Sequence, residues 1–147
     1  MKHKEFLGSL DQQRIEQAIA DAESLTSGEI RVHVQPKVVG AEIRVVAEKT
    51  FERLGMTKTA LRNVVLLFIA SEDRKFVILG DKGIDDKVPP GFWDDALVKL
   101  TVRFKEGQFT EGIIEAVAAA GEHLSRHFPP IEGDVNELSD KIDVSDD

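Results

Sequence analysis

Residues 63–70 read NVVLLFIA. After the asparagine come seven apolar residues without a polar break. An amphipathic helix or a half-exposed strand needs polar residues at regular intervals, and this run has none. It reads as a strand covered on both faces, because its length suits a strand and falls far short of a bilayer span. Such a strand needs helices above and below the sheet that contains it. The rest of the chain has to supply those layers.

The flanking patterns do so. Ser9 and Gln12 form a capping-box pattern, followed by an apolar stripe of Ile15, Ala18, Ile19, Ala22 and Leu25. Thr26-Ser27-Gly28 breaks that helix. Residues 29–35 alternate, with Ile30, Val32 and Val34 on one face, as a strand does. Ile43, Val46, Ala47, Phe51 and Leu54 mark a second helix, closed by Gly55. After the apolar run, residues 71–74 are a short polar turn and residues 75–79 a third strand, so the two strands form an antiparallel hairpin. Phe92, Ala96, Leu97, Leu100 and Phe104 predict a third helix, and Gly107 separates it from a fourth carrying Ile113, Val117, Leu124 and Phe128. The order αβαββαα predicts an α/β fold with a mixed β-sheet sandwiched between helices on both faces and a right-handed crossover between the first two strands. Pro129-Pro130 ends this body, so residues 1–130 read as one domain and residues 131–147 as a tail.

This topology draws distant segments together. The third strand runs back against the first two, so its end meets their beginnings. Thr26-Ser27-Gly28-Glu29, Arg62-Asn63 and the stretch GDKGIDD at residues 80–86 are therefore expected at one sheet edge. Several carboxylates there repel one another unless something compensates, and a hard divalent cation is the simplest compensation. Calcium takes about six to eight oxygen ligands, and Asp81, Asp85 and Asp86 with loop carbonyls supply part of such a shell. The spacing is neither that of an EF-hand nor that of a P-loop. A capped turn explains part of the pattern: Gly80, Asp81 and Gly83 suit a tight turn, and Asp94 and Asp95 suit the first turn of a helix.

Charge distribution narrows the function classes. The net charge is −8, and residues 132–147 hold seven carboxylates against one lysine, so the tail carries −6 and leaves the body at −2. A near-neutral body argues against nucleic acid, which needs a basic face. The tail reads as a solvated, disordered end, although Val135, Leu138 and Ile142 are spaced to dock as a short helix and offer a protein partner a surface. With no cysteine, disulfides and thiolate metal sites are excluded. No apolar stretch at the N-terminus suggests a signal peptide and none spans a membrane, so the expected location is cytoplasmic with no membrane contact.

TSGEIRV at 26–32, the NVVLLFIA strand, GDKGID at 80–85, Trp93 and FKEGQFTEGI at 104–113 occur in an order that resembles the TPM domain family, over roughly residues 5–128. The resemblance implies a mixed sheet between helices, divalent metal binding, calcium in particular, and an acid-phosphatase-like activity seen in some members. On these positions Asp81, Asp85 and Asp86 would bind calcium, or another hard cation such as magnesium, with Glu29 facing them. The chain departs from the family in having Asn63-Val64 where members often have Asn-Gly. Neither the leader nor the membrane helix that many members carry is expected from these residues.

The enzymatic expectation is a metal-dependent phosphomonoesterase acting on a phosphorylated small molecule or protein, with Asp81 and Asp85 at the reacting centre and Arg62 or Lys82 stabilising charge in the transition state. The alternative is a non-catalytic calcium-stabilised module that binds a protein, and the third reading is a structural domain with a capped loop. His123 and His127 are four apart on one helix but lack a third zinc ligand, and read as surface residues. His33 falls on the polar face of its strand and is expected to be exposed or half-covered, and His3 lies in a terminus expected to be mobile. Ser27 has no histidine base placed to follow it. Phe92 and Trp93 read as partly core and partly a lid over the loop, and Arg31, Arg62 and Lys82 as cations that neutralise its carboxylates.

Overall fold

The computed structural model describes residues 1–58, 62–131 and 138–145. The apolar run forms β2, Val64–Ala70, and all seven of its residues are buried. β2 pairs in parallel with β1, Glu29–Gln35, from Glu29 opposite Val64 to Gln35 opposite Ala70. On its other side it pairs antiparallel with β3, Lys75–Gly80, through the hairpin at residues 71–74. A two-residue strand, β4 at Asp143–Val144, joins the outer edge of β1, which gives the order β3-β2-β1-β4.

Side chains alternate across β2, and the core divides accordingly. Val65, Leu67 and Ile69 pack with Ile30, Val32 and Val34 into the larger cluster. That cluster is covered by four helices: α1 (His3–Ser9), α2 (Gln12–Glu23), α5 (Asp94–Lys105) and α6 (Phe109–His127). Val64, Leu66, Phe68 and Ala70 face the other way, against Ala47 and Phe51 of α3 (Ile43–Arg53) and Met56 of the 3₁₀ turn that follows. The mixed sheet between two helical layers is as expected. α2 and α6 approach so closely that a Cβ on Gly121 would lie 2.7 Å from the Ala22 Cβ, so glycine is required there.

The N-terminus differs from the reading above. The expected helix start at Ser9 is the end of another helix: the Ser9 hydroxyl donates to the Phe6 carbonyl, and Asp11 caps α2 by accepting from the Arg14 amide at 3.2 Å. Phe6 explains the extra helix, since it is buried against Phe104 and Phe109 and anchors α1. His3, expected in a mobile end, is buried beside Ser71, with 2.8 Å between Nδ1 and the Ser71 hydroxyl.

The tail differs too. Within residues 138–145, Leu138 and Ile142 are half-buried against the two core clusters, and Val144 pairs opposite Val34. This segment, read from sequence as a solvated end that could instead dock as a short helix, contributes the short strand β4 and, among the described residues, no helix; Val135 lies outside the described residues. Among the described residues no helix is long and apolar enough to cross a membrane.

Candidate functional site

β3 runs out at Gly80, and the next residue begins the aspartate loop. The Asp81 amide donates to the Val64 carbonyl at 2.9 Å, which extends the sheet by one rung. The Asp81 carboxylate then accepts from the Lys82 amide at 2.7 Å and caps α4, Lys82–Asp85. The expected turn is thus one short helical turn, held down by Ile84, which is fully buried. A Cβ on Gly80 would sit 3.1 Å from Ile84, so the glycine lets the loop fold back on its own strand.

Asp81 is buried and its charge is answered by Arg62. The guanidinium donates twice, Nε to Oδ2 at 2.6 Å and an Nη to Oδ1 at 2.8 Å. This two-pronged geometry is the strongest form of a carboxylate–arginine contact. Arg62 stands on a left-handed backbone (φ 53°) with its carbonyl accepting from the Gly83 amide, so backbone and side chain both bind the loop. The Arg62 side chain is 42% exposed while that of Asp81 is 4% exposed, so one side of the guanidinium faces solvent.

Asp85 and Asp86 complete the loop. Asp85 is exposed, yet partial desolvation pushes its carboxyl above its ordinary range; Arg44 opposes this, while Asp86 and Asp81 add to it. Asp86 is exposed at the C-terminal end of α4. Beside Asp85 opens a groove of about 620 Å³, bounded by Arg44, Ile78, Pro90, Phe92 and Trp93. Phe92 and Trp93 stack edge to face at 4.7 Å and form one wall, and Trp93 also packs against the larger core cluster. Asp94 and Asp95 belong to the first turn of α5, and Asp95 pairs with Lys99 at 3.4 Å.

The expected convergence of three segments holds for the backbone and fails for one side chain. The Glu29 amide donates to the Asn63 carbonyl at 3.3 Å, and the Asn63 side-chain amide reaches the Ser27 hydroxyl at 3.3 Å. Thr26 donates through its hydroxyl to the Phe128 carbonyl, which ties this edge to the end of α6. Glu29, however, lies opposite Val64 on the far side of β2 from Asp81, and its carboxylate accepts from the Leu138 amide at 2.9 Å. It faces the tail rather than the aspartate loop. Among the described residues, no three His, Asp or Glu side chains are grouped closely enough to hold a metal ion.

Sequence reasoning missed a second set of titratable groups under the tail. His33, expected to be at least half-exposed, is fully buried: its Nδ1 lies 2.6 Å from Asp143, its Nε2 2.9 Å from Gln35, and its ring stacks on Phe68 at 5.0 Å. Burial raises the Asp143 carboxyl, but hydrogen bonds from Arg53 and His33 outweigh it and hold the group below the ordinary range. Glu23 accepts from the Ile30 amide at 2.9 Å, and burial, together with a hydrogen bond shared with Asp140, pushes its carboxyl up to about 9. The signal was present in the tail, where acids at 140 and 143 interleave with Leu138 and Ile142, but local pattern did not say which strand they would meet. His123 and His127 flank Phe92 at 5.4 Å each and do not converge on a ligand. His123 also stands 3.5 Å from Asp95.

A sequence profile of the TPM domain matches residues 1–123. No curated protein matches the chain. Among solved structures, the BA42 protein from the psychrophilic bacterium Bizionia argentinensis is 40% identical, with a TM-score of 0.85 over 91% of this chain and 92% of that one. The N-terminal domain of a P. gingivalis protein is 20% identical with a TM-score of 0.67, covering 82% of this chain and 80% of that chain. The N-terminal domain of the cg2496 protein from Corynebacterium glutamicum is 16% identical with a TM-score of 0.61, covering 78% and 74%. At these lower identities the last two speak to the fold alone.

Proposed function

Since the chain belongs to the TPM domain family, we propose that it binds a divalent cation, calcium being the one its oxygen-only donors suit, at the α4 loop through Asp81, Asp85 and Asp86. The observation that carries this reading is the Arg62–Asp81 pair beside an exposed Asp85, whose carboxyl partial desolvation and acidic neighbours hold above the ordinary range. The loop already draws one cation, the guanidinium, and keeps two further carboxylates. The residues fit a metal in part. Both Asp81 oxygens are engaged, so a cation meets Asp85, Asp86 and loop carbonyls first and gains Asp81 only when Arg62 turns away. The solvent-facing side of Arg62 leaves it room to turn. Glu29 does not fit the set, for the reason given by its contact with Leu138.

Phosphomonoester hydrolysis extends this reading. A bound cation would polarise a phosphoryl oxygen. The chain's own groups would do the rest: Arg44, with Arg62 once released, would hold the phosphate, and Phe92 and Trp93 would wall off an organic leaving group in the adjoining groove. A non-catalytic, calcium-stabilised module is the second reading, favoured by the engagement of both Asp81 oxygens, which leaves that carboxylate no free role in the chemistry.

Calcium titration of chelator-treated protein, followed by Trp93 fluorescence, tests the site, because Trp93 and Asp85 line the same groove. A saturable change that disappears in Asp85→Asn and Asp86→Asn supports it, and a change that survives both substitutions removes it. Turnover of p-nitrophenyl phosphate by the same preparations separates the two readings. Turnover lost in Asp85→Asn supports the enzyme, and calcium binding without turnover supports the module.

A further inference from the structure

The far end of β3 carries a second cavity, of about 550 Å³, between α1, α5 and the β2–β3 turn. Its floor is aromatic. Phe6 is buried, Phe104 and Phe109 meet it edge to face at 5.8 and 5.0 Å, and Phe76 meets Phe104 at 5.7 Å. Phe76, Phe104 and Phe109 are only half-buried, so the cavity leaves apolar surface in contact with water.

The rim is basic. Arg74, Lys75 and Lys105 line the opening and are all exposed. Arg74 sits on a left-handed backbone (φ 55°), where Gly or Asn fits at less cost, so local conformation does not account for an arginine there. The chain has 27 carboxylates and a net charge of −8, yet among the described residues not one carboxylate lines this cavity. On a body that is otherwise near neutral, three cations at one opening favour an anion there.

We propose that the cavity binds an amphipathic organic monoanion, a medium-chain fatty carboxylate, with its chain on Phe76, Phe104 and Phe109 and its head group among Arg74, Lys75 and Lys105. The size falls in the usual range for small-molecule sites, roughly 300–1,000 Å³. The apolar floor favours a ligand with a hydrocarbon body over a free inorganic anion, which would leave the floor wet. The all-cationic rim selects the sign of the head group. Lys75 opens β3 and Gly80 closes it, so this site and the aspartate loop lie at opposite ends of one strand. Phe76 borders both cavities, whereas Phe104 and Phe109 line this one and not the groove beside Asp85, so those two residues distinguish the sites.

The test uses the full chain and two probes of equal tail length, dodecanoate and dodecyltrimethylammonium, each kept below its aggregation concentration. Backbone amide resonances report where each binds. Dodecanoate is expected to cause saturable shifts centred on Phe104 and Phe109. Its affinity should fall about tenfold in Lys75→Glu/Lys105→Glu, while the cationic probe should bind that variant better than the wild type. Both lysines are exposed, so the variant should melt as the wild type does. Should it unfold, the affinity of the wild type for dodecanoate must fall with added salt. Equal binding of the two probes, shifts centred elsewhere, unchanged affinity on charge reversal or no saturable shift would each overturn the proposal.

Discussion

Arg62 and Asp81 are nineteen positions apart in sequence and joined by two hydrogen bonds of 2.6 and 2.8 Å. The pair fastens the segment before β2 to the segment after β3 and neutralises the most buried carboxylate of the aspartate loop. Arg62→Ala strands that charge, which is costly because a buried carboxylate without a partner loses its hydration and gains nothing in return. The expected outcome is a lower melting temperature. If the loop binds calcium, saturating calcium should recover more stability in Arg62→Ala than it adds to the wild type, because the metal then replaces the guanidinium. Thermal melts of both proteins with and without calcium check this.

Glu23 gives the protein a pH dependence of defined sign. Its carboxyl is raised from 4.5 in the unfolded chain to about 9 by burial and by its neighbours Asp140 and Glu29. The folded state therefore binds more protons than the unfolded state between those values, and stability falls as pH rises through that window. Glu23→Gln removes the titration and should flatten the dependence, leaving the variant more stable than the wild type at pH 8. Urea midpoints from pH 5 to 9 measure it.

Asp143 works in the opposite direction. Its carboxyl is held low by Arg53 and His33, so its contribution is present above the ordinary carboxylate range and lost as pH falls through the depressed value. A chain ending at residue 131 loses the Asp143 contacts, the Leu138 amide on Glu29 and the Ser145 amide on the Val34 carbonyl. With net hydrogen bonds worth about 0.5–1.5 kcal/mol each, the loss of these four is expected to cost about 2–6 kcal/mol. Amide exchange should quicken in β1 first, and exchange mapped by mass spectrometry would show whether it does.

Gly121→Ala places a methyl group 2.7 Å from the Ala22 Cβ, with the Ala22 backbone at 3.1 Å behind it. The helices must separate to admit it. Overpacking of this kind costs about 1–3 kcal/mol, more than the helix propensity of alanine returns. Denaturant unfolding of the variant should show a lower midpoint with an unchanged slope.

The sequence by itself determined the three main strands, the larger helices and the faces they bury, but not α1, α4 or β4. An unbroken apolar run as short as residues 64–70 suits a strand with helices on both sides, and the alternation at Ile30, Val32 and Val34 selects the face that meets the larger cluster. It also brought residues 26–29, 62–63 and 80–86 to one edge, because strand direction follows from connection length. Only the tertiary structure decided which charges meet. Glu29 and Asp81 share that edge, yet β2 lies between them, and Glu29 turns to Leu138 while Asp81 takes Arg62. His33 is buried because a strand 110 positions away covers it. Periodicity is a local property of the chain and reports burial of a face. Ion pairs and caps between distant residues depend on how whole layers settle against one another, and no local pattern carries that information.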